Sequence, residues 1–544
     1  MGNYLHNFTE DEGAKLPVGI SSFEFIRTQG YLYVDKTPWL SRMATQGMYY
    51  FLSRPRRFGK SLVVSTLSAM FQGRRELFKG LWIADKSSWD WQVFPVIILD
   101  FNEIPHESPE ELNVGITFAL KHIAQSYQVS VTASLIGLQF QELIATLYKK
   151  MGGPVVVLID EYDKPILDHL GKGPGHLDVA KANREILKSF FGILKGINVS
   201  HYLRFVLLTG VSRFSKVSVF SELNNLDDIS MSDRYADLCG YTQEELETYF
   251  RPEIGRFAQK YEAPHEEILQ KLARQYNGYR FAKRDVRVYN PFSILKAFSE
   301  LDFGHYWFET GTPDFLINLF KQQGYDIPGI EKIRVSQAAF TTFEIEHLVP
   351  EALLLQTGYL TIHDVQQRVY TLGYPNQEVK LGFSESLFLS LLDNANQEPG
   401  SYIFHLSTYL QQENFEAFFD TMKAIFASIP YDIQSKRDEA YYHALFYLMI
   451  SASGTDAQSS VLTSKGRIDL VVLFPGSIYI IEFKCNQSAN AAVRQIVQKG
   501  YAEKYQRDAK SICFIGINFD TDTRNITEWK VVKDRDGWGK QGGN

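Results

Sequence analysis

The first part of the chain alternates short apolar runs with stretches in which apolar residues recur at helical spacing. The apolar runs predict strands, and the stretches between them predict amphipathic helices. The predicted strands are residues 48–53, 95–101, 155–160 and 204–209, and the predicted helices are residues 60–71, 109–127, 134–150 and 178–197. Continuous apolar strands that alternate with helices are typical of a parallel sheet covered on both faces. We therefore expect an α/β domain whose ligands bind at the strand ends.

Beyond residue 240 the pattern becomes mostly helical, and it is rich in aromatic residues up to about residue 363. A helix predicted at residues 242–261 begins with Thr242 and carries Glu245 three residues later, the spacing of a capping box. We interpret residues 1–240 as the first domain and residues 241–377 as a helical lid and connector.

The C-terminal part, residues 378–544, is predicted to form a third domain with a different order of helices and strands. Its predicted elements are helices at residues 413–429, 437–451 and 489–507 and strands at residues 466–474, 478–485 and 511–518. The first two strands are separated by a Pro-Gly-Ser turn at residues 475–477, which indicates a hairpin. The order α-β-β-α-β predicts a second, smaller α/β fold.

The amino-acid composition excludes several classes of protein. The 544 residues are 45% hydrophobic and 22% charged, and no apolar run approaches the roughly 18 residues of a membrane span. The N-terminus lacks a signal-peptide pattern, and three scattered cysteines show neither disulfide nor metal-ligand spacing. We therefore expect a cytoplasmic, multidomain protein with reduced thiols and no membrane partner.

The formal charge of −7 argues against a protein that coats nucleic acid through a global basic field. Local basic patches are still compatible with binding of nucleic acid. One such patch is formed by Arg54, Arg56 and Arg57, for which nucleotide phosphates and acidic neighbours within the fold are equally good partners.

A phosphate-binding loop is predicted where the first strand meets the first long helix. At this point Lys60 can reach the β and γ oxygens of a nucleotide, the Ser61 hydroxyl can bind Mg²⁺, and backbone N–H groups face the phosphates. The residues predicted to bind ATP or GTP are Arg57, Phe58, Gly59, Lys60 and Ser61. The usual pattern has glycine five residues before Gly59, whereas this chain has Arg54. The turn that opens the loop must therefore be built differently.

The strand at residues 155–160 ends in two carboxylates, Asp160 and Glu161. In this position Asp160 can bind the Mg²⁺ hydration shell, and Glu161 can polarise a water against the γ-phosphate. Another strand, at residues 95–101, intervenes in the sequence, as in ATPases whose sheet has an extra central strand. The alternative is a strand that simply leaves the core, and the upstream Gly-Lys-Ser makes that less favoured.

Two residues near the end of the next strand are weaker candidates. Thr209 is predicted to contact the γ-phosphate or the attacking water, and Arg213 is predicted to sense the phosphate. A strand-end threonine with no special role is the competing interpretation. If Arg213 acts across a subunit interface, the protein must form a homo-oligomer.

The C-terminal hairpin carries a second set of acidic residues. Residues two apart on a strand share a face, so Glu482 and Lys484 point the same way, and the partner strand can bring Asp469 beside them. Asp469 and Glu482 can hold Mg²⁺ on a scissile phosphate, and Lys484 can orient water or stabilise developing charge. The alternative is a surface hairpin with a cross-strand salt bridge.

Several motifs resemble the bacterial predicted AAA-ATPase-like proteins, and the resemblance covers most of residues 16–300. They are LPVGI (16–20) with Phe23, YVDKT (33–37), RPRRFGKS (54–61), DEYDKP (160–165), TGVSRF (209–214), YNGYRF (276–281) and YNPFS (289–293). This family commonly has arginine where the first loop glycine stands, so Arg54 matches the family. The resemblance implies a P-loop domain that binds ATP with Mg²⁺.

The C-terminal elements resemble the core of the PD-(D/E)XK nucleases, a module that accompanies the AAA-like domain in many bacterial proteins. Glu439 matches a further metal-binding acid of such nucleases, which would join Asp469 and Glu482 as ligands. The family's C-terminal module is also matched by Gln495, Lys499, Tyr501 and Tyr505. His443 can assist, although a helix-borne histidine among aromatic residues is more often packed than catalytic.

The favoured hypothesis is an enzyme that couples ATP binding or hydrolysis to a metal-dependent nuclease acting on nucleic acid, with DNA as the expected partner. By analogy, its role would be defence against foreign or mobile DNA. A second hypothesis is an ATP-controlled switch or scaffold whose nuclease-like domain binds without cutting. A third is an ATPase that engages protein partners through its aromatic middle region.

Overall fold

The computed structural model describes residues 15–213, 225–307, 328–340, 349–391, 399–429, 439–506 and 510–533. The chain divides into two compact units. The first comprises Met1–Leu319 and Arg334–Glu378, and the second comprises Phe320–Ile333 and Val379–Asn544. Within the described ranges, no helix combines the length and apolarity needed to cross a bilayer. The predicted three-way division of the chain at residues 240 and 377 stays a prediction.

A five-stranded sheet with order β2-β3-β4-β1-β5 organises the first unit. Its strands are β1 (Tyr49–Ser53), β2 (Val96–Asp100), β3 (Val155–Asp160), β4 (Leu203–Gly210) and the short β5 (Asp227–Asp228). All neighbouring pairs are parallel, which confirms the predicted parallel α/β sheet. Strand β4 lies between β1 and β3, whereas the strand that intervenes in the sequence, β2, lies at the edge of the sheet. The register pairs Ser53 with Gly210 and Asp100 with Asp160, so the carboxyl ends of these strands lie at one edge.

Helices cover this sheet and continue beyond it. They are α1 (Phe23–Thr28), α2 (Thr37–Gln46), α3 (Lys60–Phe71), α4 (Trp82–Lys86), α5 (Pro109–Ser126), α6 (Ile136–Met151), α7 (Lys164–Leu167), α8 (Pro174–Gly192), α9 (Ile197–Ser200), α10 (Gln243–Tyr249), α11 (Arg251–Lys260), α12 (His265–Tyr276), α13 (Pro291–Glu300) and α14 (Pro350–Thr357). The capping box of Thr242 and Glu245 begins α10 as expected. The single helix predicted at 242–261 is wrong, because Pro252 lacks the N–H that a continuous helix needs and a new helix begins at Arg251.

Two further differences concern the same unit. The helix predicted at 178–197 begins earlier, at Pro174, and α8 ends at Gly192 before a short 3₁₀ turn. The connector was expected to be mostly helical, yet it contributes strands to a three-stranded sheet with order β6-β8-β7. These strands are β6 (Ile333–Ser336), β7 (Thr361–Gln366) and β8 (Val369–Gly373).

The second unit is built on a mixed five-stranded sheet with order β13-β12-β11-β10-β9. Its strands are β9 (Asp456–Thr463), β10 (Gly466–Leu473), β11 (Ser477–Cys485), β12 (Ser511–Asp520) and β13 (Asn525–Lys533). The helices are α15 (Gln377–Leu391), α16 (Pro399–Gln411), α17 (Phe415–Ser428), α18 (Glu439–Ala452) and α19 (Ala489–Gln498). The predicted hairpin is β10–β11, with antiparallel pairing. The first two residues of the predicted helix 437–451 lie outside the described residues.

Sequence reasoning missed the two outer strands, β9 and β13, whose mixed polar and apolar residues show weak periodicity. It also extended α19 too far, because Gly500 adopts a left-handed φ of 60° and a 3₁₀ turn follows at Tyr501–Tyr505. Side chains on opposite faces of the sheet enter two cores. Ile481 and Phe483 pack with α16–α18, whereas Ile480 packs with α19. Glu482 and Lys484 therefore share the α19 face, as the pleat predicted.

Candidate functional site

The predicted phosphate-binding loop ends at the first residue of α3. Gly59 precedes the helix with a φ of 91°, a left-handed conformation that suits glycine. Lys60 is 3% exposed, and its Nζ lies 3.0 Å from Glu161 Oε1 and 3.1 Å from the Arg54 carbonyl oxygen. Two non-glycine residues here, Arg57 and Glu161, also have left-handed φ values of 69° and 51°. Such backbone conformations are uncommon and concentrate at functional sites.

Asp160 lies at the buried end of β3, beside the first turn of α3. Its carboxylate accepts hydrogen bonds from the Thr209 and Ser61 hydroxyls. Burial, followed by repulsion from Glu161, raises the pKa of Asp160. A nearby cation would offset both effects, and hydroxyl and carboxylate oxygens are the ligands that Mg²⁺ prefers. The residues present therefore fit the predicted magnesium site.

A cavity of about 410 Å³ opens beside the loop. One side is polar and includes Gly59, Lys60, Ser61, Glu161 and Lys164. The other side is apolar, with Ile20 on the N-terminal segment and Pro291, Phe292 and Leu295 on α13. A cavity with a cationic polar side and an apolar wall has the chemistry needed for a nucleoside triphosphate.

Aromatic residues of the motifs at residues 276–281 and 289–293 pack against the loop. Phe58 is buried, and its ring centroid lies 4.7 Å from that of Tyr279 and 5.3 Å from that of Phe281. The Arg57 guanidinium lies 4.7 Å from the centroid of Phe292. Phe58 thus acts as an anchor of the loop rather than as a lining residue, whereas Arg57 faces the cavity.

Arg54, which replaces the usual glycine, points into the protein. Its side chain is 1% exposed and donates to the carbonyl oxygens of Ser53 (2.9 Å), Ser230 (2.7 Å) and Tyr235 (3.0 Å). Its guanidinium also lies 4.3 Å from the Phe281 centroid, and burial lowers the pKa of Arg54 to about 10. Arg54 therefore ties the loop to neighbouring segments, so within this basic patch it has a structural role.

The structure places Arg213 apart from the cavity that Lys60 lines. Its guanidinium pairs with Asp228 on β5, with Nε 3.2 Å from Oδ2.

Sequence reasoning assigned no role to Asp163, although it falls within the DEYDKP motif. Asp163 is fully buried and accepts from the Val211 N–H (3.1 Å) and the Ser212 hydroxyl (2.6 Å). It holds the segment that follows Thr209, and burial raises its pKa to about 6.

In the second unit, the hairpin register brings two carboxyl groups together. Leu470 pairs with Ile481, which sets Asp469 and Glu482 opposite each other. Their carboxyl groups lie within hydrogen-bonding reach, and the Asp469 Oδ2 also accepts from the Phe483 N–H (3.0 Å). Burial and the Asp469 charge raise the pKa of Glu482 to about 9, while Lys484 opposes the shift. A divalent cation bound by these two adjacent carboxyl groups would allow both to ionise, so the pair is suited to hold such a cation.

Helix α19 positions a further polar group. Gln495 Nε2 donates to Glu482 Oε1, which orients the carboxylate. This contact needs close approach of helix and sheet at Gly516, the partner of Glu482 on β12. A Cβ at Gly516 would lie 2.2 Å from the Ala489 carbonyl oxygen. Gly516 is thus a packing requirement of the site that no sequence signal indicated.

The other predicted nuclease residues lie around this pair. Partial desolvation and the Asp469 charge raise the pKa of Glu439, and Lys484 opposes this, so the three groups share one electrostatic neighbourhood. Among the described residues, however, no three acidic, histidine or cysteine side chains converge as a ready ligand set. A Mg²⁺ site with two carboxylates and added waters is common. The His443 ring packs 5.2 Å from that of Phe483.

Comparison with known proteins identifies two families along the chain. Residues 17–220 match the family described as Predicted AAA-ATPase, and residues 437–529 match the PD-(D/E)XK nuclease superfamily. A protein of Azotobacter chroococcum mcd 1, named "Uncharacterized protein in vnfD 5'region", is 39% identical over 532 residues, which cover 95% of this chain and 98% of the relative. The chain belongs to this AAA-ATPase-like family. Its C-terminal unit carries the PD-(D/E)XK domain.

In the AAA-ATPase-like domain, replacing Arg54 with alanine is expected to lower the free energy of unfolding by about 3 kcal/mol or more. Three buried carbonyl oxygens would lose their donor, and the stacking contact with Phe281 would be lost. Urea denaturation of the purified chain measures the change. The matched control is Arg56→Ala, because Arg56 belongs to the same loop and its side chain is 53% exposed. Equal stability of the two variants would contradict the structural role of Arg54.

Proposed function

We propose that this protein is an ATP-hydrolysing, metal-dependent nuclease that cleaves phosphodiester bonds in nucleic acid, with DNA as its substrate. The observation that carries the proposal is the arrangement of Asp469, Glu482, Lys484 and Gln495 on the β10–β11 hairpin and α19. A chain with this site and a nucleotide cavity has the groups for two phosphate chemistries.

In the AAA-ATPase-like domain, Lys60 and the N–H groups at the start of α3 would hold the triphosphate. Ser61 and Asp160 would hold Mg²⁺, which supplies charge neutralisation at the phosphates. Glu161 lies 3.0 Å from Lys60 Nζ. When phosphate oxygens engage Lys60, Glu161 is released to polarise the attacking water. Thr209 keeps Asp160 oriented through its hydrogen bond.

In the PD-(D/E)XK domain, Asp469 and Glu482 would hold Mg²⁺, which would supply a positive charge to polarise the scissile phosphate and to lower the pKa of water. Gln495 fixes the Glu482 carboxylate through its amide N–H. Lys484 is available to orient the attacking water or to stabilise negative charge on the phosphate oxygens. Lys484 Nζ donates to the Phe483 carbonyl oxygen at 2.9 Å, which keeps the ammonium at the end of β11.

The test is incubation of the purified chain with labelled single- and double-stranded DNA and RNA in Mg²⁺ and in Mn²⁺, with and without ATP. Cleavage of DNA that requires the divalent cation and changes with ATP is the expected result. Intact substrates under every condition, with ATP binding confirmed by calorimetry, would instead favour an ATP-controlled switch whose PD-(D/E)XK domain binds without cutting. A role against foreign or mobile DNA is part of the proposal and is inferred by analogy.

A further inference from the structure

The hairpin that joins β9 to β10 lies beside the turn that follows α19, and together they present an unusual local charge. Residues 461–467 and 498–506 contain four cationic residues and one acidic residue, Glu503, in a chain whose formal charge is −7. The cationic residues, called here the cationic rim, are Lys465, Arg467, Lys499 and Lys504, and all four are exposed.

Hydrogen bonds hold the two parts of the cationic rim in one arrangement. The Tyr501 hydroxyl donates to the Arg467 carbonyl oxygen at 2.9 Å, and Lys504 Nζ donates to the Leu462 carbonyl oxygen at 3.3 Å. Lys465 Nζ lies 2.6 Å from Glu503 Oε1. A surface that is ordered before binding loses less conformational entropy when a ligand attaches.

The same contacts connect the cationic rim to the carboxyl pair. Arg467 stands two residues before Asp469 on β10, a separation of about 7 Å along a strand. The Tyr501 side chain also hydrogen-bonds with Gln495, whose amide holds Glu482. The cationic rim is therefore adjacent to the residues that would hold the scissile phosphate.

The chemistry of this position favours a polyanion with an apolar face. The Asp469 charge repels phosphates, so a substrate strand benefits from compensating cations immediately beside it. Leu462, paired with Arg467 across the hairpin, is 68% exposed. An exposed apolar side chain beside cations can contact the sugars or bases of a bound nucleic acid.

We propose that the cationic rim binds the backbone of the nucleic-acid substrate next to the scissile bond, with Leu462 against its sugars or bases. This inference rests on the proposed nuclease function and assigns the residues that bring the strand to the carboxyl pair. It gives Arg467 and Lys499 the role of phosphate contacts and leaves hydrolysis to Asp469, Glu482 and Lys484.

The test measures equilibrium binding of a fluorescent duplex, and of the corresponding single strand, to the full-length chain carrying Glu482→Gln so that the probe stays intact. Adding Arg467→Ala and Lys499→Ala is expected to raise Kd at least tenfold at low salt. It should also lower the slope of log Kd against log salt by about two, because two phosphate contacts are lost. The conservative pair Arg467→Lys and Lys499→Arg should restore the slope.

The matched control removes the same number of positive charges from β13, at the opposite edge of the sheet, by Lys530→Ala and Lys533→Ala. Equal Kd and equal salt slope for the two alanine pairs would overturn the assignment of the cationic rim. In that case, binding and cleavage by the unmodified chain would still support the nuclease function. Failure of the unmodified chain to bind or cleave any nucleic acid would count against both.

Discussion

Substitution of Glu482 with glutamine is expected to reduce metal-dependent cleavage by at least about a hundredfold, because a charged metal ligand is replaced by a neutral amide. The side chain is 1% exposed and sits opposite Asp469, so the substitution removes one of the two adjacent carboxylates of the site. Initial rates on labelled DNA, measured across a Mg²⁺ titration, report the loss.

The glutamine variant is expected to keep its fold. Glu482 has a pKa of about 9 in this environment, so without metal its carboxyl is mostly neutral at pH 7 and resembles an amide in shape and charge. ATP binding should therefore be unchanged. Glu413→Gln is the matched control, since Glu413 belongs to the same unit and pairs at the surface with Lys533. Full cleavage by the Glu482 variant would eliminate the hairpin as the nuclease site.

Substitution of Lys60 with alanine is expected to weaken ATP binding by about 10- to 100-fold, the value of a lost charge-assisted hydrogen bond of about 1.5–3 kcal/mol. Lys60 is buried between the loop carbonyls and Glu161, with its Nζ 3.3 Å from the Pro55 oxygen. Its ammonium is thus already positioned where the β and γ phosphates would enter the cavity. Isothermal calorimetry with ATP and Mg²⁺ measures the change.

Lys271→Ala provides the control for Lys60, because Lys271 belongs to the same unit and is 46% exposed. Its salt bridge with Glu267 (2.8 Å) is a surface ion pair, so the variant should bind ATP within about threefold of the parent chain. If cleavage depends on ATP, the Lys60 variant should also lose that dependence while its metal-dependent activity persists. Equal ATP affinity for the parent and the Lys60 variant would move nucleotide binding away from this loop.

Local sequence patterns predicted those parts of the nucleotide site and of the carboxyl pair that depend on residues close together in the sequence. The apolar runs that became β1 to β4 and the Gly-Lys-Ser start of α3 needed no long-range information, because strand and helix periodicity is local. The hairpin was equally local, since the turn at residues 475–477 and the two-residue pleat suffice to set Asp469 opposite Glu482. Motif resemblance added the families, which the comparisons confirm.

The sequence by itself therefore determined the fold class, the phosphate loop and the carboxyl pair. Only the tertiary structure decided where long side chains go, because an arginine can reach several partners and burial selects among them. Arg54 turns inward to three carbonyl oxygens, Arg213 pairs with Asp228, and Phe58 packs against Tyr279. The packing role of Gly516 and the pairing of the outer strands β9 and β13 also depend on distant segments coming together. Close packing and strand pairing are properties of the assembled sheet.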